Sequence, residues 1–194
     1  MIDYARSAMI RLELLGAHTR VHATLCNACP QGPAGCCESP PGVEWSDLGR
    51  IVALGGTTWL LEQIAAGNLK RGGRALNIRR READAAGPRR CVFHEGQGCT
   101  IPADRRTATC NFYVCDDAFA QADSEAHGAD EVAGRRAVDL LMDTHGRWDL
   151  EIAERVRERW PEGPPWDTTL LTWLGEEYAR LARRERRALR SLAQ

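Results

Sequence analysis

CNACPQGPAGCC, residues 26–37, places four cysteines in twelve residues and ends on an adjacent pair. Prolines and glycines crowd residues 30–42, as PQGPAG and then SPPG, so this stretch reads as a loop rather than a helix or strand. The other four cysteines stand in CVFHEGQGCTIPADRRTATCNFYVC, residues 91–115. The spacing is C-x2-C-x6-C-C, a gap of 53 residues, then C-x7-C-x10-C-x4-C. Zinc takes four thiolates in a tetrahedron, and an iron–sulfur cluster commonly takes four as well. Two groups of four therefore point to metal. C-x2-C lets one tight turn deliver two sulfurs to one ion. Successive side chains diverge in an extended chain, so Cys36 and Cys37 suit different metals, or one metal through a special turn. That favours a multi-metal or interleaved site over two independent zinc knuckles.

The redox setting agrees. The N-terminal MIDYARSAMIRLELLGAHTR carries Asp3, Arg6, Arg11 and Glu13 among its apolar residues, which makes a poor signal peptide. No stretch approaches the ~18 apolar residues of a membrane span. The expected compartment is the cytoplasm, where thiols stay reduced and eight cysteines argue for metal over disulfides. All eight are candidate ligands: Cys26, Cys29, Cys36, Cys37, Cys91, Cys99, Cys110 and Cys115. With zinc, the economical arrangement is two closed, structural sites of four thiolates. With iron, one [4Fe-4S] cluster would leave four cysteines for a zinc ion or for redox work. Either centre carries about −2, which calls for nearby donors or cations. Arg89, Arg90, Arg105 and Arg106 lie in or beside the second group. The plain reading of Arg89, Arg90 and Arg105 is exposed arginines in an arginine-rich chain.

Outward from the cysteines, the pattern is mainly helical. Residues 3–24 read as a helix, with Ile10, Leu14 and Val21 on one stripe. Ser46 is a candidate N-cap for a helix beginning near Asp47. Gly55 and Gly56 interrupt it, and Thr57 or Thr58 would cap a second segment to about Ala66. ALNIRRRE, residues 75–82, is a candidate short strand. EGQG is turn chemistry between two short pieces of CVFHEGQGCTI, which reads as a hairpin. Val132, Leu141, His145, Trp148, Ile152, Val156 and Trp160 follow helical spacing, with a break expected near Gly146. A last helix should run from about Asp167 to Leu192, with Leu170, Leu174, Tyr178 and Leu181 on one face.

The cysteine pattern resembles the YkgJ-like cysteine-cluster (CxxCxxCC) family of zinc- or iron-chelating domains. Cys26, Cys29, Cys36 and Cys37 match its first half. Cys91, Phe93, Cys99, Ile101, Arg106, Cys110, Phe112 and Cys115 match its second half in order, so the resemblance covers roughly residues 22–120. Two departures stand out. Six residues separate Cys29 from Cys36 where the family name implies two. Thr107 and Asn111 replace the usual Pro and Arg. The resemblance implies metal chelation. The family's association with flagellin lysine methylation belongs to longer proteins and does not carry over, because no S-adenosylmethionine-binding pattern is present here.

Other residues support bland readings. His94, three after Cys91, could ligate or donate to a thiolate, but cysteines are plentiful. His18 and His22 sit four apart on the expected helix without the glutamate of a zinc protease. The arginines of ARLARRERRALR are interleaved with glutamates and lack stacking aromatics, so nucleic acid is an unlikely partner and a solvated amphipathic tail or a helix–helix packing element is favoured. With a formal net charge of −1, global charge argues for no polyanionic partner. Nucleotide-loop and serine-hydrolase motifs are missing. CNAC as a redox dithiol would expect a βαβ scaffold that its flanks do not supply.

The expected fold is a mainly α single domain over residues 1–194. A cysteine-rich metal-binding core with a short β-hairpin (22–120) is wrapped by N- and C-terminal helices, the latter a helical extension (121–194). The expected function is a zinc or iron–sulfur cysteine-cluster protein, as a structural or interaction module with an unknown protein partner. The alternative is an iron–sulfur-dependent redox or protein-modifying enzyme. Oligomeric state, substrate and the pairing of cysteines are not encoded in the pattern.

Overall fold

A computed structural model of the protein describes residues 10–13, 20–23, 32, 34–73, 75–85, 87–95, 98–124 and 128–187, with backbone alone at 10–13, 20–23, 121–124 and 128–134. Six helices carry the architecture: α1 Trp45–Ala53, α2 Thr57–Ala65, α3 Ala108–Phe112, α4 Asp116–Ser124, α5 Gly128–Arg159 and α6 Thr168–Arg184. Nine short strands form four small antiparallel sheets among the described residues. They are β1 Ile10–Glu13, β2 Arg20–Ala23, β3 Gly42–Val43, β4 Leu69–Arg71, β5 Leu76–Ile78, β6 Arg80–Arg81, β7 Arg90–Cys91, β8 His94–Glu95 and β9 Gly98–Cys99. The fold is therefore mainly helical. No described helix is long and apolar enough to cross a membrane.

The expected helix over residues 3–24 is a correction. Its described parts, β1 and β2, pair antiparallel, with Ile10 opposite Ala23 and Leu12 opposite Val21. Ile-Arg-Leu-Glu and Arg-Val-His-Ala each alternate apolar and polar residues, and that period of two outweighs the sparse helical stripe. His22 thus lies on a strand, which removes the helical pairing with His18; His18 lies outside the described residues.

α1 begins at Trp45, earlier than expected, because Glu44 is its N-cap. Glu44 and Asp47 form a reciprocal capping box, each side chain meeting the other's backbone N–H. Ser46 lies inside the helix and donates its N–H to Asp149 of α5 at 3.2 Å. Gly55, at φ +78°, takes the left-handed conformation that ends α1. α2 was expected to be capped by Thr57 or Thr58; it starts earlier, with Thr57 its first residue and Gly56 at the cap. α5 runs unbroken through Gly146, where a break was expected. That glycine is exposed, with nothing near its missing Cβ. One solvent-facing glycine costs a helix about 1 kcal/mol, which 32 residues of helix absorb. Asp167 caps α6 by accepting from the N–H groups of Thr169 and Leu170.

The core lies where α1 meets α5 and α6. Leu48, Ile51, Leu141, Trp148, Ile152, Leu170, Leu174 and Leu181 are fully or almost fully buried there. The apolar faces expected on the last two helices are thus the core faces. Two glycines allow α1 and α6 to touch. A Cβ on Gly49 would lie 2.6 Å from the Leu174 carbonyl and 2.7 Å from the Tyr178 Cβ. A Cβ on Gly175 would lie 2.6 Å from a Val52 methyl. At the far side of α6, Arg180 bonds Glu151 at 2.6 Å and Glu177 at 3.0 Å. Arg184 reaches Glu151 at 2.9 Å, and Arg155 of α5 pairs with Glu177. The described part of the arginine-rich stretch is thus a helix–helix packing element.

Gly49→Ala should destabilise the fold by about 1–3 kcal/mol, because backbone and a Cβ stand in the way. Gly146→Ala should stabilise it by about 0.5–1 kcal/mol, because only helix propensity changes. Urea unfolding of both variants checks the two signs.

Candidate metal centre

The site is built from three pieces of chain. The first is a 3-10 turn, Gly35–Glu38, entered through Gly35 at φ +51°. A 3-10 turn rotates successive residues by about 120°. Cys36 is exposed in consequence, while Cys37 is half-buried and packs against the core. The second piece is β7 and the turn after it. Cys91 is buried, and its sulfur accepts the N–H of Phe93. The chain reverses in the β8–β9 hairpin, with His94 opposite Cys99. This is the hairpin expected within CVFHEGQGCTI. The third piece is α3, which carries Cys110. Thr107 caps α3 by accepting the Cys110 N–H at 3.1 Å, and its side chain also bonds the Cys110 sulfur.

These pieces enclose a cavity of about 340 Å³. Cys36, Cys37, Cys91, Cys99 and Cys110 all line it. Pro40, Pro41, Ile78, Ile101 and Tyr113 form apolar wall, and the hydroxyl residues Ser39 and Thr109 also line it. Both cysteine groups thus meet on one cavity. Cys115, at the start of α4, does not line it; it packs half-buried against the core. Cys26 and Cys29 lie outside the described residues. Among the described residues, no three His, Cys, Asp or Glu side chains already stand in a metal-holding arrangement. His94 is buried, its Nδ1 has no hydrogen-bond partner among the described residues, and it is not among the residues lining the cavity.

Buried polar contacts from α1 hold the third piece. The Asp47 carboxylate accepts the Glu44 N–H at 3.2 Å and the Ala108 N–H, at the start of α3, at 2.6 Å. Arg50, 3.6 Å from that carboxylate, donates to the carbonyls of Asp104 and Arg106. Arg106 donates to Ile101 at 2.8 Å and Cys99 at 3.4 Å, so it shapes the loop between two cysteines. Asn111 donates to Ala103 at 2.8 Å. Arg105 is not the exposed arginine expected. It is partly buried and donates to the Leu54 carbonyl at 2.9 Å, at the C-terminal end of α1. Arg89 and Arg90 are likewise partly buried, and Arg90 donates to the nearby Pro88 carbonyl. Sequence reading missed Asp47, Arg50 and Arg81. The first had a legible signal, the acidic pair Glu44 and Asp47 in capping-box positions. Arg81 had none, since it sits in an arginine run.

The thiols alter one another's ionisation. A hydrogen bond from Cys37 lowers Cys36 to about 6. The same bond raises Cys37, helped by burial and by the charges of Cys36, Cys91 and Cys110. Burial raises Cys91, with a further push from Cys99; the Phe93 N–H and the Arg81 charge oppose it. Cys110 opens onto the cavity yet is packed about by protein. Burial pushes it up to about 12, with Cys99, Asp47 and Cys91 adding repulsion. A cation placed among these sulfurs would reverse every repulsive contribution. The donor set is sulfur, without imidazole or carboxylate in the wall, and so suits soft metals over magnesium or calcium.

No known family model, curated protein or solved structure matches the chain.

Asp47→Ala should cost about 3–5 kcal/mol, because it leaves Arg50 buried without its counter-charge; denaturant unfolding measures this, and a loss below 1 kcal/mol would contradict it. In metal-free protein, iodoacetamide at neutral pH should label Cys36 ahead of Cys91 and Cys110. Cys36 is thiolate above its lowered pKa, so its labelling rate should fall as pH drops through about 6. Peptide mass mapping across pH 5–8 reads this directly.

Proposed function

We propose that the protein is a thiolate metal-binding protein of the YkgJ-like cysteine-cluster kind, acting in a reducing compartment such as the cytoplasm. The observation that carries this reading is the convergence of five cysteines, from groups 53 residues apart in sequence, on one cavity. Chance placement of structural cysteines would scatter them through the core, where free thiols behave as small apolar groups. The raised thiols support the same reading, because a cation among them would offset the burial and the neighbouring charges that keep them protonated.

The size of the cavity bears on which metal is held. A single zinc ion sits about 2.3 Å from four sulfurs and needs little more space than they enclose. Five sulfurs around 340 Å³ fit a polynuclear centre better, as an iron–sulfur cluster or as zinc ions sharing thiolates. Such a centre would be held by Cys36, Cys37, Cys91, Cys99 and Cys110. Its role in the first reading is structural, tying the 3-10 turn, the hairpin and α3 together for an interaction module. A second reading, an iron–sulfur-dependent enzyme, is favoured by one observation. Pro40, Pro41, Ile78, Ile101 and Tyr113 leave apolar wall beside the sulfurs, where a substrate group could rest.

The test is elemental analysis and a visible spectrum of the full chain purified without air. Bound metal is expected, and it should be lost from Cys91→Ser and Cys110→Ser. Colourless zinc protein would support the structural reading; iron with acid-labile sulfide would support the second. Wild-type protein that holds neither zinc nor iron, even after anaerobic reconstitution with each, would refute metal binding.

A further inference from the structure

Arg81 occupies an unfavourable position for its own strand. β6 pairs with β7 so that Arg81 stands directly opposite Arg90, a like-charge pair. The two side chains go separate ways. Arg90 turns to the Pro88 carbonyl, while Arg81 reaches along the chain beyond Cys91. Its guanidinium donates to the Val92 carbonyl at 2.8 Å and the His94 carbonyl at 3.4 Å. It also lies 3.6 Å from the Glu95 carboxylate. One side chain therefore grips three points of the turn that follows Cys91.

The geometry of the peptide unit gives this grip a consequence. The Val92 carbonyl and the Phe93 N–H belong to one planar trans peptide, so they point in opposite directions. Arg81 holds the carbonyl edge of that plane, and the other edge donates to the Cys91 sulfur. Rotation of the plane would lose both bonds together. Hydrogen bonds to ligand sulfurs and the groups that orient them commonly set metal affinity and electronic properties.

We propose that Arg81 is a positioning residue of the metal centre, holding the Val92–Phe93 peptide so that its N–H donates to Cys91 and placing positive charge beside that sulfur. This rests on the reading of Cys91 as a metal ligand.

The probe is Co(II), titrated anaerobically into the full chain and followed by its thiolate-to-metal charge-transfer absorption, with far-UV circular dichroism as the check on folding. Arg81→Met should weaken Co(II) binding roughly 10–100-fold, as loss of an orienting partner does. Its charge-transfer band should move to lower energy, because a sulfur without its N–H donor is more electron-rich. Arg81→Lys, which keeps the charge, should lie between Arg81→Met and wild type. Arg79→Met is the control: Arg79 bonds Asn68 instead, and its loss should leave binding and band unchanged. If Arg81→Met loses its helical signal, Arg81→Gln, which removes the charge but retains a donor, is read by the same two measures. Wild-type affinity and an unshifted band in a folded Arg81 variant would overturn the proposal while leaving the metal centre standing. A wild-type chain that develops no thiolate–Co(II) band would overturn both.

Discussion

One buried carboxylate joins the helical body to the cysteine-bearing loops. Asp47 completes the capping box of α1 and also receives the first N–H of α3. Two helix N-termini thus converge on a single negative charge, the arrangement that their dipoles favour. Arg50, one turn along α1, supplies the positive partner and holds the Asp104 and Arg106 carbonyls. Burial nevertheless keeps the Asp47 carboxyl above its ordinary range, so desolvation outweighs these favourable contacts. Such a pair orders a structure more than it stabilises it. What it orders is the placement of Cys110 against α1. Through Gly49 and Gly175, α1 is in turn seated on α6.

The cysteine cavity has the opposite electrostatic character. Around Asp47, charge is met by partners within the fold itself. Around the sulfurs, the cavity wall offers apolar groups, hydroxyl residues and other thiols, with the Arg81 guanidinium acting on Cys91 and the Asp47 carboxylate on Cys110. Burial and neighbouring charge raise Cys37, Cys91 and Cys110, whereas Cys36 is lowered by its bond from Cys37. The fold brings donors together and leaves their charge to be offset by something positive. Aromatic packing links this region to the core. Trp59 of α2 lies 6.2 Å from Phe93, and Phe112 of α3 lies 5.6 Å from His145 of α5. The loops that bear cysteines are therefore backed by helices on two sides.

Much of the helical frame was legible. Leu170, Leu174, Tyr178 and Leu181 recur at helical spacing and are buried on α6, as that spacing requires. Asp167 was readable as a helix start because its side chain can accept the free N–H groups of the first turn. The errors have physical causes. Gly146 was read as a break, yet propensity is a weak prior once a long helix is packed along one face. Residues 10–23 were read by helical spacing, although their alternation suited the strands that form. The hairpin between Cys91 and Cys99 was visible through its turn residues, whereas Arg105 and Arg81 could not be separated from the arginines around them.

By itself, the sequence determined that the chain would be mainly helical and that its cysteines would fall into two groups. Both follow from local rules: periodicity decides which faces are apolar, and Pro and Gly decide where helices cannot run. Only the tertiary structure decided that five cysteines from those two groups share a cavity while Cys115 stays outside it. It also decided that Asp47 and Arg50 serve a loop more than fifty residues away. Spacing along a chain cannot encode such meetings. They depend on where a close glycine contact seats one helix on another, and on which buried backbone groups remain to be satisfied once it has.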